Sequence, residues 1–347
     1  MPVASQPAWA RAPRIGLIAL ALLAAAGATL VANRVAAEGE MATPPPVSGR
    51  RLADPEDILT ADVLARVELL RANVELLRLY MGKRVPPDPL MRVESARPRE
   101  VYSQAANLER RANRLAFEQI RIVRKESVPI TGEAKPAAVF AVVDSAFAAV
   151  LLVKQDLGID TPVAEVARPD STTPSEVFNA TIAAGTEINH LLELRTSSSD
   201  VFQLITSSVH IAAALHATIP GGPNLPDEPA FEANKMLSDN LRRLHKCFEL
   251  ARRVGESKGV YSLNLEFTKE IENRVSRSDM SDMASLVVEQ LVGLHRRFPD
   301  ASAPRPAYYP GRRFPSHVYQ RIGLLELILQ DLADAFTVDI PSTKANR

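Results

Sequence analysis

The best-spaced metal-binding residue types in this chain are Glu187 and His190, a Glu-x-x-His pair in a segment that reads as helix, with Glu193 one turn further on. Residues three apart share a helix face, and carboxylate-bridged di-metal bundles bring two such pairs together with two further glutamates. Only one pair occurs here. His210, His216, His245, His295 and His317 have no acid three positions earlier. A lone pair is expected to form a solvated, ion-paired face, so neither a metal nor a cofactor is assigned. Cys247 is the single cysteine, which excludes an internal disulfide, a multi-cysteine metal site and a c-type haem attachment within one chain. There is no glycine-rich phosphate loop, dinucleotide fingerprint or nucleophile elbow, and Gly221-Gly222, flanked by prolines, reads as a turn. An enzyme would have to gather acids or histidines from distant segments, and the expectation is a non-enzymatic protein.

Other residues are suited to contact rather than chemistry. Asp144 interrupts an apolar stretch from Val139 to Leu157 and is the candidate polar group for a ligand held between helices. Arg110, Arg111, Arg114, Arg121 and Arg124 alternate with Glu109 and Glu118. Such a stripe, with Arg110 and Arg114 at its centre, either meets an anionic partner such as a lipid head group or cell-wall polymer, or forms a solvated face. Arg242, Arg243, Lys246, Arg252 and Arg253 make a comparable stripe. The segment Pro304 to Arg313 sets Tyr308 and Tyr309 among prolines, with Arg312 and Arg313 following. Rigid aromatics beside arginines are what interfaces favour; the competing reading is that both tyrosines pin a long connector to the body.

The chain has 347 residues, 46% of them hydrophobic and only 5% aromatic. A core of Leu, Val, Ile and Ala suits helix-on-helix packing. Basic and acidic residues balance at 41 each. Without residues 1–37, which hold Arg11, Arg14 and Arg34 and no acid, 38 basic and 41 acidic groups remain. That balance gives no reason to expect nucleic acid. Arg11 and Arg14 precede an uncharged run, Ile15 to Ala32, and Val35-Ala36-Ala37 then offers small residues for cleavage. Residues 1–37 are therefore read as a signal peptide or an N-terminal anchor, the only expected tie to a membrane. Residues 38–56, with Pro44-Pro45-Pro46, read as a flexible tether. The expected location is the periplasm or cell envelope.

The elements that must position these residues repeat along the sequence. Thr60-Ala61-Asp62-Val63-Leu64, Pro98-Arg99-Glu100-Val101-Tyr102, Pro136-Ala137-Ala138-Val139-Phe140 and Pro174-Ser175-Glu176-Val177-Phe178 share one pattern at intervals of 38 residues. It returns at Ser198-Ser199-Asp200-Val201-Phe202, weakly at Arg277-Ser278-Asp279-Met280-Ser281, and at Pro315-Ser316-His317-Val318-Tyr319 with His in the acid's place. A helix near Leu237 stands where a further copy belongs. Proline in the first turn, a hydroxyl cap and an early acid are helix-start chemistry. The fold predicted is all-α, a bundle or array of repeated helix-plus-connector units, read as two tandem four-helix sets over 57–197 and 198–336 with a tail at 337–347. Proline-containing connectors of a dozen residues can run back along a helix, so sequential helices need not be antiparallel. No strand of convincing length is predicted. The aromatics at the fifth position (Tyr102, Phe140, Phe178, Phe202, Tyr319) are expected either to pack singly or to line a common pocket. Function follows as an envelope binding or scaffolding module for a protein, cell-wall or lipid partner; the alternative is a periplasmic ligand-binding or sensory protein.

Overall fold

A computed structural model describes residues 57–127, 134–193, 195–221, 224–260, 263–267 and 274–336. The expected leader, tether and C-terminal tail lie outside these residues. The described elements are α1 (Thr60–Tyr80), β1 (Met91–Glu94), α2 (Pro98–Ile120), α3 (Pro136–Asp156) and α4 (Pro174–Leu191). They continue as α5 (Ser198–His216), α6 (Leu237–Ser257), β2 (Asn264–Phe267), α7 (Arg277–His295) and α8 (Pro315–Phe336). The first four helices start at the residues marked by the 38-residue spacing.

The repeated acid has one local task. It accepts the backbone N–H of the residue just before the helix: Leu59 donates to Asp62 at 2.9 Å, Arg97 to Glu100 at 2.6 Å and Thr173 to Glu176 at 2.6 Å. Ser197 donates to Asp200 at 2.7 Å, Met236 to Asp239 at 2.9 Å and Ser276 to Asp279 at 2.8 Å. His317 does the same at α8, its Nδ1 accepting from the Phe314 amide at 3.2 Å. This is half of a capping box and satisfies an N–H that the helix leaves free. It requires the His317 tautomer with its proton on Nε2. α3, with Ala138 at that position, has no such acceptor.

Helices α1 and α2 each pack against both α3 and α4; α5 and α6 each pack against both α7 and α8. Within each group the helices run the same way. The first and fourth residues of α1 to α4 (Thr60 and Val63, Pro98 and Val101, Pro136 and Val139, Pro174 and Val177) meet at one end around a depression of only about 20 Å³. Further along, Arg66 pairs with Asp144 and Arg71 with Glu187, each pair at similar depth in its two helices. In the second group Asn240 donates to the Pro315 carbonyl, Cys247 Sγ lies 3.7 Å from the Ile322 carbonyl, and His216 meets Asp331. Lys258, just after α6, covers the rings of Phe298 and Phe336, which joins the far ends of α6, α7 and α8. Parallel neighbours are possible because each connector returns the chain to the starting end. Aligned helix dipoles concentrate positive charge there. Three acids offset it in each group: Asp62, Glu100 and Glu176 in one, Asp200, Asp239 and Asp279 in the other.

The two groups run in opposite directions. Between Leu191 and Ser198 the chain reverses. Arg99, early in α2, pairs with Glu289, late in α7, whereas Arg111 pairs with Asp282 near the start of α7 at 2.6 Å. Beside this contact β1 and β2 form a two-stranded antiparallel sheet, from Met91 opposite Phe267 to Glu94 opposite Asn264, which ties the α1–α2 connector to the α6–α7 connector. The sequence reading missed both strands, because four residues are too few to show alternation above background.

α3 is the apolar helix anticipated from sequence. It buries Val139, Phe140, Val142, Val143, Phe147 and Val150 against α1 and α2. Among the described residues it is the one helix long and apolar enough to cross a membrane. The apolar run predicts a helix covered on several sides, but α3 is only half-buried, because α1 and α2 pack on one side of it.

Candidate functional site

Two surfaces stand out. The first is the connector from residue 299 to 314, which lies along α5. Its main chain does the fixing: Gln203 donates to the Ala307 carbonyl at 3.0 Å, His210 Nδ1 lies 3.0 Å from the Arg305 carbonyl, and the Arg313 amide donates to Ser199 at 2.9 Å. The Arg313 guanidinium lies over the Phe202 ring. Arg313 is thus a fastening residue. Tyr308 and Tyr309 are 81% and 61% exposed and point away from the body. They do not pin the connector. Arg312 sits over the exposed Phe314, and Phe314 and Phe231 both contact His317, so the aromatic surface continues past the tyrosines.

The second is a cleft of about 430 Å³ where the groups meet. It is walled by residues 97–100 at the start of α2, by Gly259 and Val260 after α6, by Ala134, and by Glu289, Gln290, Gly293, Arg296 and Arg297 on and just after α7. Burial pushes both carboxyls upward; the Arg97 amide partly opposes this at Glu100, and Arg99 does so at Glu289. The sequence reading singled out none of these residues. Arginines at helix ends are common, and only packing reveals that four belong to one hollow.

The remaining candidates are separated. Asp144 is not buried: its side chain is 47% exposed and pairs with Arg66 at 3.3 Å. It cannot act as the isolated polar group of an apolar pocket. Arg110 is exposed and bonds to Asn107, while Arg114 pairs with Glu118 at 3.2 Å and Asp200 at 3.8 Å. Arg111, one residue from Arg110, is not part of a solvated face at all but enters the contact between groups. The α6 stripe is likewise committed, with Arg243 and Lys246 both on Glu326.

The fifth-position aromatics do not share a pocket. Tyr102, Phe140, Phe178 and Phe202 are buried in separate packing positions. Arg66 covers Phe140, Arg313 and Arg321 cover Phe202, and Lys235 and Arg243 cover Tyr319. Cations over aromatic faces close the edges of these clusters.

Glu187 bonds Arg71 at 2.7 Å, and His190 is held below its usual range by burial and by the charges of Arg195, Lys83 and Arg78. That environment repels a cation. Among the described residues no three His, Cys, Asp or Glu side chains gather as a metal site would require. Cys247 is fully buried, and burial pushes its thiol up, so it is not a thiolate nucleophile. No known protein-family model, curated protein or solved structure matches this chain significantly.

Proposed function

We propose that this chain is an exported envelope protein that holds a partner protein through the Tyr308–Tyr309 surface. One observation carries the reading: the connector is fastened by its backbone and by Arg313, which leaves two adjacent tyrosines free of any fastening role. Large exposed aromatics on an ordered segment lose little entropy on binding and supply much of an interface's energy. The basic, apolar and small-residue pattern of residues 1–37, read as a signal peptide or an anchor, supports an envelope location for the partner. We also propose that residues 57–197 and 198–336 are two copies of one four-helix unit. Matched helix pairing, common direction within each group and three capping acids per group support this. The contact between groups is lopsided, with α2 against α7 rather than α6, so the copies have diverged where they meet.

The test is a photo-crosslinking residue at position 309, compared with one at the still more exposed Val123, in cells that make the protein naturally. A discrete adduct is expected from 309 alone. Tyr308→Ala with Tyr309→Ala should abolish partner capture and leave the melting temperature nearly unchanged. Equal adducts from both positions, or unfolding of the double variant, would overturn the reading.

A further inference from the structure

We propose that the end of the molecule where α1 and α2 finish rests on the surface of an anionic lipid bilayer. This contact is additional to any made by residues 1–37. It does not rest on the tyrosine connector, which belongs to the other group.

Exposed apolar residues gather at this end. Leu79 and Tyr80 close α1, and Val85 follows them. Phe117 lies in the last turn of α2, and Ile122 and Val123 come just after it. Their exposure runs from 40% at Ile122 to 82% at Val123. The two clusters are joined through the end of α4. The His190 ring is hydrogen-bonded to the Arg84 backbone, and the Glu193 amide donates to Glu118 in the last turn of α2 at 2.8 Å.

Cations adjoin both clusters. Lys83 and Arg84 precede Val85. Arg121, Arg124 and Lys125 bracket Ile122 and Val123, so residues 121–125 hold three positive charges and no acid. The Arg121 guanidinium lies over the Phe117 ring. The dipole of α2 accounts for little of this, because its effect fades beyond the last turn. That turn holds no basic residue, and the cations all come after it. Acids are present as well: Asp88 and Glu126 follow the two clusters in sequence, and Asp156 and Asp160 lie at the end of α3. Charge therefore draws this end to an anionic surface, and the apolar side chains supply the hold.

The chemistry selects a bilayer over a protein. Protein interfaces deplete charge at their centres and are poor in lysine. Apolar side chains on short segments, with Lys and Arg directly beside them, suit the boundary between head groups and acyl chains. The apolar tips enter it while the long basic chains reach the phosphates. Tyr80 adds a ring of the kind that gathers at that boundary. Two separate points of contact on one end also fit a plane better than a groove.

The test sets an environment-sensitive fluorophore at position 123. Cys247 is fully buried, so Val123→Cys provides the one accessible thiol, and Leu327→Cys on α8 provides the control. Full-length protein is mixed with vesicles of phosphatidylglycerol and phosphatidylcholine, or of phosphatidylcholine alone. The label at 123 should shift to the blue with the anionic vesicles, less with the neutral ones, and less as salt is raised. The label at 327 should not respond. Insertion of residues 1–37 alone would move both labels alike, and that result overturns the proposal. Arg121→Gln with Arg124→Gln and Lys125→Gln should raise the anionic lipid needed for the same response about tenfold or more, with the circular dichroism unchanged. If that variant fails to fold, Lys83→Gln with Arg84→Gln is read in its place and should weaken the response in the same direction. An undiminished response in the folded variant refutes the proposal. So does a silent label at 123, and a discrete protein adduct from a crosslinker at 123 would then give this face to a protein partner.

Discussion

Asp282 is 2% exposed and sits against Arg111, yet burial pushes its carboxyl up to about 6. A carboxylate whose folded pKa lies above its unfolded value costs stability while ionised, and the cost disappears as pH falls. The folded state takes up this proton first, so between about pH 7 and about pH 5 wild-type protein should gain stability relative to Asp282→Asn. Melting temperatures of the pair across that window decide it; a constant difference would mean that Arg111 fully offsets the burial. Gly185 tests the same contact from the other side. A Cβ there would collide with the Arg111 guanidinium, which its ion pair holds in place. Alanine is the better helix former by about 1 kcal/mol. Overpacking should nevertheless win, and Gly185→Ala should destabilise the protein by about 1–3 kcal/mol in urea unfolding. Neither effect was legible in the sequence, where Arg111 is one arginine among five and its partner lies 171 positions away.

Elements were far more legible than residues. Helix starts are written locally, in a cap, an acid three positions on and a proline in the first turn. Thr60, Pro98, Pro136, Pro174, Ser198 and Pro315 therefore announce themselves. α6 begins with Leu237 and no apolar fourth residue, but Asp239 supplies the cap all the same. The nearly unbroken apolar run of α3 suggested a helix covered on several sides; that only half of it is buried depends on which neighbours arrive, and the run does not record that. Val139 lies at the meeting of four helix starts. Val139→Asp places a charge there without a partner and should abolish the cooperative unfolding transition seen by circular dichroism; full tolerance would remove α3 from the core. Direction was not legible, because a connector of a dozen residues permits either a return or a hairpin. The strands were invisible because pairing, and not composition, makes them.

At the scale of the whole molecule, two groups of parallel helices lie side by side in opposite senses. Opposed placement sets the positive ends of one group beside the negative ends of the other, which offsets the repulsion that parallel dipoles create within each. The cleft is a product of this arrangement. Arg97 and Arg99 at a helix start meet Arg296 and Arg297 at a helix end only because α2 and α7 run oppositely. Nothing in either segment alone points to the other, and so the site escaped a reading that worked along the chain. Tyr308 and Tyr309 were noticeable for the opposite reason, since they and the prolines and arginines around them fall within ten consecutive residues, whereas Phe231 and His317, which extend that surface, were not.

The returning connectors have a kinetic consequence. In an up-and-down bundle each helix docks on its predecessor as soon as a tight turn forms. Here, among the described helices, α1 packs chiefly on α3 and α4, and α5 on α7 and α8. Loop closure must precede the contacts that reward it, and chains with distant partners fold slowly for their size. Stopped-flow refolding should accordingly be slower than the microsecond-to-millisecond range of simple helical bundles. Late folding keeps a chain unstructured for longer, the state in which polypeptides cross a membrane, and so suits the export proposed above.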